Sequence, residues 1–110
     1  MTGHTLDVLA SLADEIAARQ RSSPEKSYTA KLLSLGVERC AKKFGEEAVE
    51  LALAAALRDR AQTVAEAADV LYHLLVLLAA SGVSVSDVMS ELARRQGVSG
   101  IAEKASRPKD

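Results

Sequence analysis

The chain has 110 residues, 48% apolar and 26% charged, with a formal net charge of -1. That length fits one domain with a small core, and the apolar share excludes a disordered chain. The near-neutral balance excludes a basic field that would recruit nucleic acid or an anionic membrane surface.

Helix signals dominate from the start. The apolar content is mainly Ala, Leu and Val, and Ala and Leu are strong helix formers. No basic stretch followed by an apolar run opens the chain, so no secretory leader is expected. Over residues 5–20, Leu6, Leu9, Leu12, Ala13, Ile16 and Ala17 recur at steps of three and four, which predicts an amphipathic helix. Ser22-Ser23-Pro24 breaks it. Residues 22–36 read as a polar connection with a short helical turn over 28–34, closed by Gly36. A second long helix is predicted from Val37 to Leu57 or Arg58, carrying Gly45 at a cost of about 1 kcal/mol relative to Ala. After a turn at 59–63, Thr63 with Glu66 reads as a capping box. The next helix runs to about Ser81, where Gly82 stops it. Ser84 or Ser86 caps a last helix through Arg95, ended by Gly97.

No segment alternates with the period of a strand, so the predicted class is all-α, a four- to five-helix bundle built on a central helical hairpin. The domain covers 1–98, and 99–110 reads as a polar, loosely ordered tail. Residues 70–80 form the most apolar stretch, but it contains Tyr72 and His73 and is too short to span a bilayer, so no membrane association is expected. That stretch is apolar all round, which predicts burial on every side. Four short helices would struggle to surround it, so a homodimer is expected. The single cysteine, Cys40, has no intramolecular disulfide partner, which fits a reducing cytoplasm. No base is arranged near it in sequence, so it reads as a small packing residue.

Two acidic patterns carry the chemistry: Glu46-Glu47-x-x-Glu50 and Glu66-x-x-Asp69, with 15 residues between Glu50 and Glu66. That gap suits two antiparallel helices. With Glu46 as zero, Glu50 lies about 40°, Lys43 about 60° and Glu47 about 100° round the helix, while Val49 and Leu53 fall on the other side, toward an expected core. Glu66, Asp69 and His73 are neighbours on one face. Glu66 and Asp69 have apolar flanks, which predicts burial, and unpaired buried carboxylates are costly. A divalent cation would resolve the repulsion. An all-oxygen set without Cys or a His pair suits Mg2+ or Mn2+ rather than zinc. The plain alternative is a solvated helix face of a non-catalytic interaction module.

The ordered strings Ser27-Tyr28-Thr29-Ala30, Gly36, Lys43-Phe44-Gly45-Glu46-Glu47-Ala48-x-Glu50, Glu66-x-x-Asp69-x-x-Tyr72-His73-Leu74, Leu92-x-x-Arg95, Ser99-Gly100 and Glu103-Lys104-Ala105-Ser106-Arg107 resemble the phosphoribosyl-ATP pyrophosphatase family. The resemblance covers nearly the whole chain. The two acidic motifs are shared with the all-α MazG-type nucleoside triphosphate pyrophosphohydrolases. The Ser-Tyr-Thr-Ala and Lys-Ala-Ser-Arg strings separate this family from those relatives.

The resemblance implies the Mg2+-dependent second step of histidine biosynthesis, in a stand-alone form without a fused cyclohydrolase domain. That step hydrolyses 1-(5-phosphoribosyl)-ATP to 1-(5-phosphoribosyl)-AMP and pyrophosphate. It further implies Glu47, Glu50, Glu66 and Asp69 as metal ligands, with Glu46 standing behind them or orienting the attacking water. Lys43 reads as a phosphate contact within this string; a bare helix lysine is more often solvated or paired with Glu46 or Glu47. Lys42 would add to the phosphate field. Tyr28 is placed near the ligand, or as a loop anchor. His73 contacts substrate, donates to Asp69, or is a satisfied partly buried histidine. Tyr72 reads as core or interface. Gly45 admits close approach of a backbone or substrate, or is merely tolerated. Arg19, Arg21, Lys31, Arg95, Lys104 and Arg107 are candidate contacts for a substrate with four phosphates, and His4 reads as inert. The competing enzymatic reading is a house-cleaning hydrolase of nucleoside triphosphates with the same metal site.

Overall fold

The structure, a computed structural model, describes residues 6–96, 100, 104, 105 and 107. Among these, helices are the regular elements: α1 (Asp7–Arg19), α2 (Tyr28–Ser34), α3 (Val37–Ala56), α4 (Arg60–Ala80) and α5 (Val85–Arg95). The all-α expectation holds, and the short turn expected at 28–34 is a helix. His4, the Gly97 stop and most of the expected tail lie outside the described residues.

The α3–α4 hairpin is the frame on which α1 and α2 rest. Its connection is short because Arg58 takes a left-handed conformation, φ 60°, right after α3. A non-glycine residue there costs about 1–2 kcal/mol. The turn recovers hydrogen bonds: the Arg58 N–H donates to Ala55 O and the Asp59 N–H to Ala54 O. Asp59 then starts α4, its carboxylate accepting from the Gln62 N–H at 3.0 Å. The capping box expected at Thr63 is therefore replaced by an Asp59 cap one turn earlier. Thr63 Oγ1 instead donates back to Asp59 O at 2.7 Å, the local backbone bond that a mid-helix threonine favours.

Other helix ends follow the sequence closely. Ser27 caps α2 by accepting from the Ala30 N–H, and Ser84 rather than Ser86 caps α5 by accepting from the Asp87 N–H. Gly36 and Gly82, at φ 92° and 72°, make the left-handed turns that a Cβ would strain.

The core is small. Ile16 of α1, Leu32 of α2, Cys40 of α3, and Leu75 and Val76 of α4 form one cluster. Burying each aliphatic side chain contributes about 1.5–3 kcal/mol. Cys40 is the packing residue expected. Its thiol donates to Leu32 O at 3.3 Å, which seats α2 on α3, and burial pushes its pKa up. Tyr72, half-buried, shares a 2.5 Å hydrogen bond with Thr29 Oγ1 and seats α2 on α4. Gln20 Nε2 donates to Ala79 O and ties the end of α1 to the end of α4.

One expectation about burial fails here. Val49 and Leu53 face solvent, at 60% and 58% exposure, rather than a core. The stripe of α3 that packs inward is Cys40, Glu47 and Ala54, at seven-residue intervals, because the hairpin partner lies on the Glu47 side. The apolar helix is not surrounded within the single chain, as the shortness of its neighbours predicts: of α4, only His73, Leu75 and Val76 are buried.

The α4 helix is longer than the apolar stretch suggested. Alanines and Val64 carry it back to Arg60, and over 21 residues it is long and apolar enough, at a hydropathy of 1.6, to cross a membrane by length and composition. Those criteria do not separate a span from a core helix. Here Glu66 and Asp69 lie in the same helix and are turned toward the carboxylates of α3.

Candidate active site

The hairpin brings the two acidic motifs together. Oxygen atoms of Glu47, Glu66 and Asp69 all lie within 4.8 Å of one another. Glu47 comes from the packing stripe of α3 and is 8% exposed. Glu66 and Asp69, one turn apart on α4, meet it from the opposite helix. The expected burial of the α4 pair is corrected by this geometry: Asp69 is exposed and Glu66 half-buried, and the most buried carboxylate is Glu47. Small residues flank Glu47 along its stripe, Cys40 one heptad before and Ala54 one heptad after. That seven-residue repeat was the available signal for its burial.

Glu66 is the strained member. Its Oε1 is buried without a hydrogen-bond partner among the described residues, and Oε2 accepts a long contact from Gln62 Nε2 at 3.4 Å. Burial raises its pKa, the charges of Glu50, Asp69 and Glu47 raise it further, and a side-chain hydrogen bond between the Glu66 and Glu47 carboxyls adds to the rise. An orphaned oxygen on a carboxylate grouped with two others fits a hard divalent cation, since oxygen ligands alone compose the cluster. Glu50 is exposed and outside the tight group of three, yet its charge is felt at Glu66. Glu46 is exposed beside them on α3.

Lys43 sits one turn before Glu47, its Nζ 3.4 Å from the Glu47 carboxylate. That hydrogen bond and charge, with smaller contributions from Tyr28 and Glu46, raise its pKa and keep it cationic. His73 is buried at 6% exposure, in edge contact with the Tyr72 ring at 4.9 Å. Burial lowers its pKa, opposed by Glu47 and reinforced by Lys43, so it is a neutral wall residue near neutral pH. Tyr28 opens α2, largely exposed, within electrostatic reach of Lys43. A side chain at Gly45 would meet nothing within 4 Å, so no close backbone approach inside the protomer explains that glycine.

The remaining candidates are scattered. Lys31 is exposed in the last turn of α2. Arg19 ends α1, beside the Ala79 end of α4, about 15 Å along the helix axis from Asp69. Arg95 lies on α5, where it pairs with Glu91 at 2.9 Å. Together with Arg94, it holds the Glu91 carboxyl down to about 2. Lys104 and Arg107 are exposed.

Comparison with known proteins agrees with this geometry. Residues 9–96 match the sequence profile of the family described as phosphoribosyl-ATP pyrophosphohydrolase. The chain is 58% identical over 104 residues to a phosphoribosyl-ATP pyrophosphatase of Ruegeria pomeroyi, covering 94% of this chain and 99% of that one. It is 59% identical to the protein of the same name from Dinoroseobacter shibae, covering 93% and 100% of the two chains. With that of Paracoccus denitrificans the identity is 62%, over 87% and 89%. The matched residues include both acidic motifs and all of α1 from its third residue, α2, α3, α4 and α5. The chain belongs to the phosphoribosyl-ATP pyrophosphohydrolase family.

Proposed function

We propose that this chain hydrolyses 1-(5-phosphoribosyl)-ATP to 1-(5-phosphoribosyl)-AMP and pyrophosphate, the second step of histidine biosynthesis, with Mg2+ held by Glu47, Glu66 and Asp69 and completed by Glu50. Family membership supports the substrate. The observation that carries the metal site is the buried, partnerless Oε1 of Glu66, on a carboxylate that is grouped with two more. A divalent cation bound there supplies charge neutralisation to the triphosphate and the departing pyrophosphate.

The protein's own groups do the rest. Lys43 holds Glu47 in place and turns its remaining N–H donors toward phosphate. Glu46, exposed on the same sector of α3, is free to accept a proton from the attacking water. Neutral His73 closes the inner wall without adding charge. Tyr28 borders the same end of the site. Arg19, Lys31, Arg95, Lys104 and Arg107 stand as outlying phosphate contacts.

The active unit on this reading is a homodimer in the cytoplasm. Support comes from the apolar surface left open on the hairpin: Val49, Leu53, Leu57, Val64 and Leu71 are all exposed, and contiguous apolar patches of this kind mark association surfaces. A buried free Cys40 fits a reducing compartment.

Three outcomes test the proposal. Pyrophosphate is released from phosphoribosyl-ATP with Mg2+ and not with EDTA, and Glu50→Gln abolishes release while helicity by circular dichroism is kept. Equal turnover of dATP or dUTP would favour a house-cleaning activity, and an active Glu50→Gln protein would remove Glu50 from the ligand set.

The second outcome follows from the sign of the Glu66 shift. A raised folded-state pKa means that the folded protein holds its proton more tightly than the unfolded chain does. Without metal, stability therefore falls as pH rises from the ordinary carboxylate range through the raised value. Glu66→Gln removes that loss. In EDTA near neutral pH the variant melts higher than the wild type, and added Mg2+ reverses the order by stabilising the wild type alone. A variant that melts lower in EDTA, or gains equally from Mg2+, contradicts the site.

The third is mass. Sedimentation equilibrium at micromolar protein gives twice 11.6 kDa; a single-chain mass would count against the dimer.

A further inference from the structure

A groove of about 170 Å³ runs between α2 and α3, lined by Leu32, Leu35, Arg39, Lys42, Lys43 and Glu46. Its α3 wall carries three cations against one carboxylate. Lys43 is engaged by Glu47. Arg39 and Lys42 are exposed and have neither ion pair nor hydrogen bond among the described residues.

Arg39 lies about 20° round the helix from Glu46, inside the sector of Lys43, Glu46 and Glu50, while Lys42 lies about 40° to the other side of Glu46, at the outer rim of the groove. Along the axis, Arg39 is eight residues, about 12 Å, before Glu47. Lys42 has Glu38 and Glu46 at four-residue spacing, but Arg39 has no carboxylate three or four residues away on the helix, and its neighbours at that spacing on α3 are Lys42 and Lys43, like charges that destabilise a helix. A solvated face would have no reason to gather them in a groove in line with a cation-binding cluster, in a chain whose net charge is only -1. A chain of phosphates does give a reason. Arginine offers a planar fork that grips phosphate by two donors, and lysine adds a mobile charge.

We infer that this groove is the subsite for the terminal phosphates of the substrate, the pair that leaves as pyrophosphate, with Arg39 as its principal contact beside Lys42 and Lys43. The inference rests on the proposed reaction for the identity of the bound phosphates. The groove begins one helical turn from Glu47, contiguous with the cluster. The phosphate on the added ribose is separated from the triphosphate by two sugars and a purine. Anionic charge that develops on the leaving group would then be met by the acidic cluster's cation at one end and by the α3 cations at the other.

Calorimetric titration of the full chain with inorganic pyrophosphate in the presence of Mg2+ tests this without turnover. Arg39→Gln binds pyrophosphate about tenfold more weakly than wild type, Arg39→Lys recovers part of that loss, and Lys42→Gln loses less. In steady-state kinetics Arg39→Gln raises KM for phosphoribosyl-ATP and weakens product inhibition by pyrophosphate in parallel. Pyrophosphate affinity equal to wild type in Arg39→Gln overturns the subsite, even if KM rises, because the contact would then be to another part of the substrate. Wild type that binds pyrophosphate through Arg39 but fails to turn over phosphoribosyl-ATP would leave the subsite standing and remove the proposed reaction.

Discussion

Repulsion among carboxylates across the α3–α4 hairpin is the constraint around which this small protein is arranged. Three carboxylate oxygens within 4.8 Å, one belonging to a partly desolvated Glu66 with a partnerless oxygen, are unfavourable in the empty protein. The hairpin must hold them there. It does so with a tight left-handed turn at Arg58, an Asp59 cap and a close-packing stripe in which small residues, Cys40 and Ala54, bracket Glu47. The same stripe that lets the helices approach also buries the charge. Stability given up at such a cluster is the usual mark of a site shaped for a ligand rather than for folding.

The rest of the fold reads as support for that hairpin. The short helix α2 is seated twice, by the Cys40 thiol on Leu32 O and by Tyr72 on Thr29. This position makes α2 the second wall of the cationic groove and brings Tyr28 toward Lys43. Along α3, beyond Glu38 in its first turn, the cations Arg39, Lys42 and Lys43 precede the carboxylates Glu46, Glu47 and Glu50, with the Lys43–Glu47 pair at the junction. A polyphosphate laid along this face meets opposite ends of one electrostatic gradient. By contrast α5 buries none of its residues, and the outer faces of α3 and α4 expose Leu57, Val64 and Leu71. The single chain gathers the acidic cluster and leaves these apolar side chains open.

Much of this was legible in the residues alone. Helix ends marked by Gly36, Gly82 and Ser84 fall where capping and left-handed turns require, because those signals are local. The convergence of the two acidic motifs followed from hairpin spacing. What failed was the choice of face. Val49 and Leu53 looked inward by hydrophobicity, yet small residues and a glutamate set the packing side, since close approach of two helices depends on side-chain size. The apolar flanks of Glu66 and Asp69 likewise point to burial there, whereas Glu47 is the buried carboxylate. The Thr63 capping box lost to Asp59, whose carboxylate reaches the first turn without delaying the helix. Arg39 has no signal in the sequence, because a lone cation carries no sign of the groove that α2 completes.

The most direct test of the central claim is to locate the cation. A crystal grown with Mn2+ in place of Mg2+ and measured at the manganese absorption edge should show an anomalous peak among the carboxylate oxygens of Glu47, Glu66 and Asp69, with Glu66 Oε1 among its ligands. A peak elsewhere, with Glu66 Oε1 satisfied by a protein donor instead, would contradict the account.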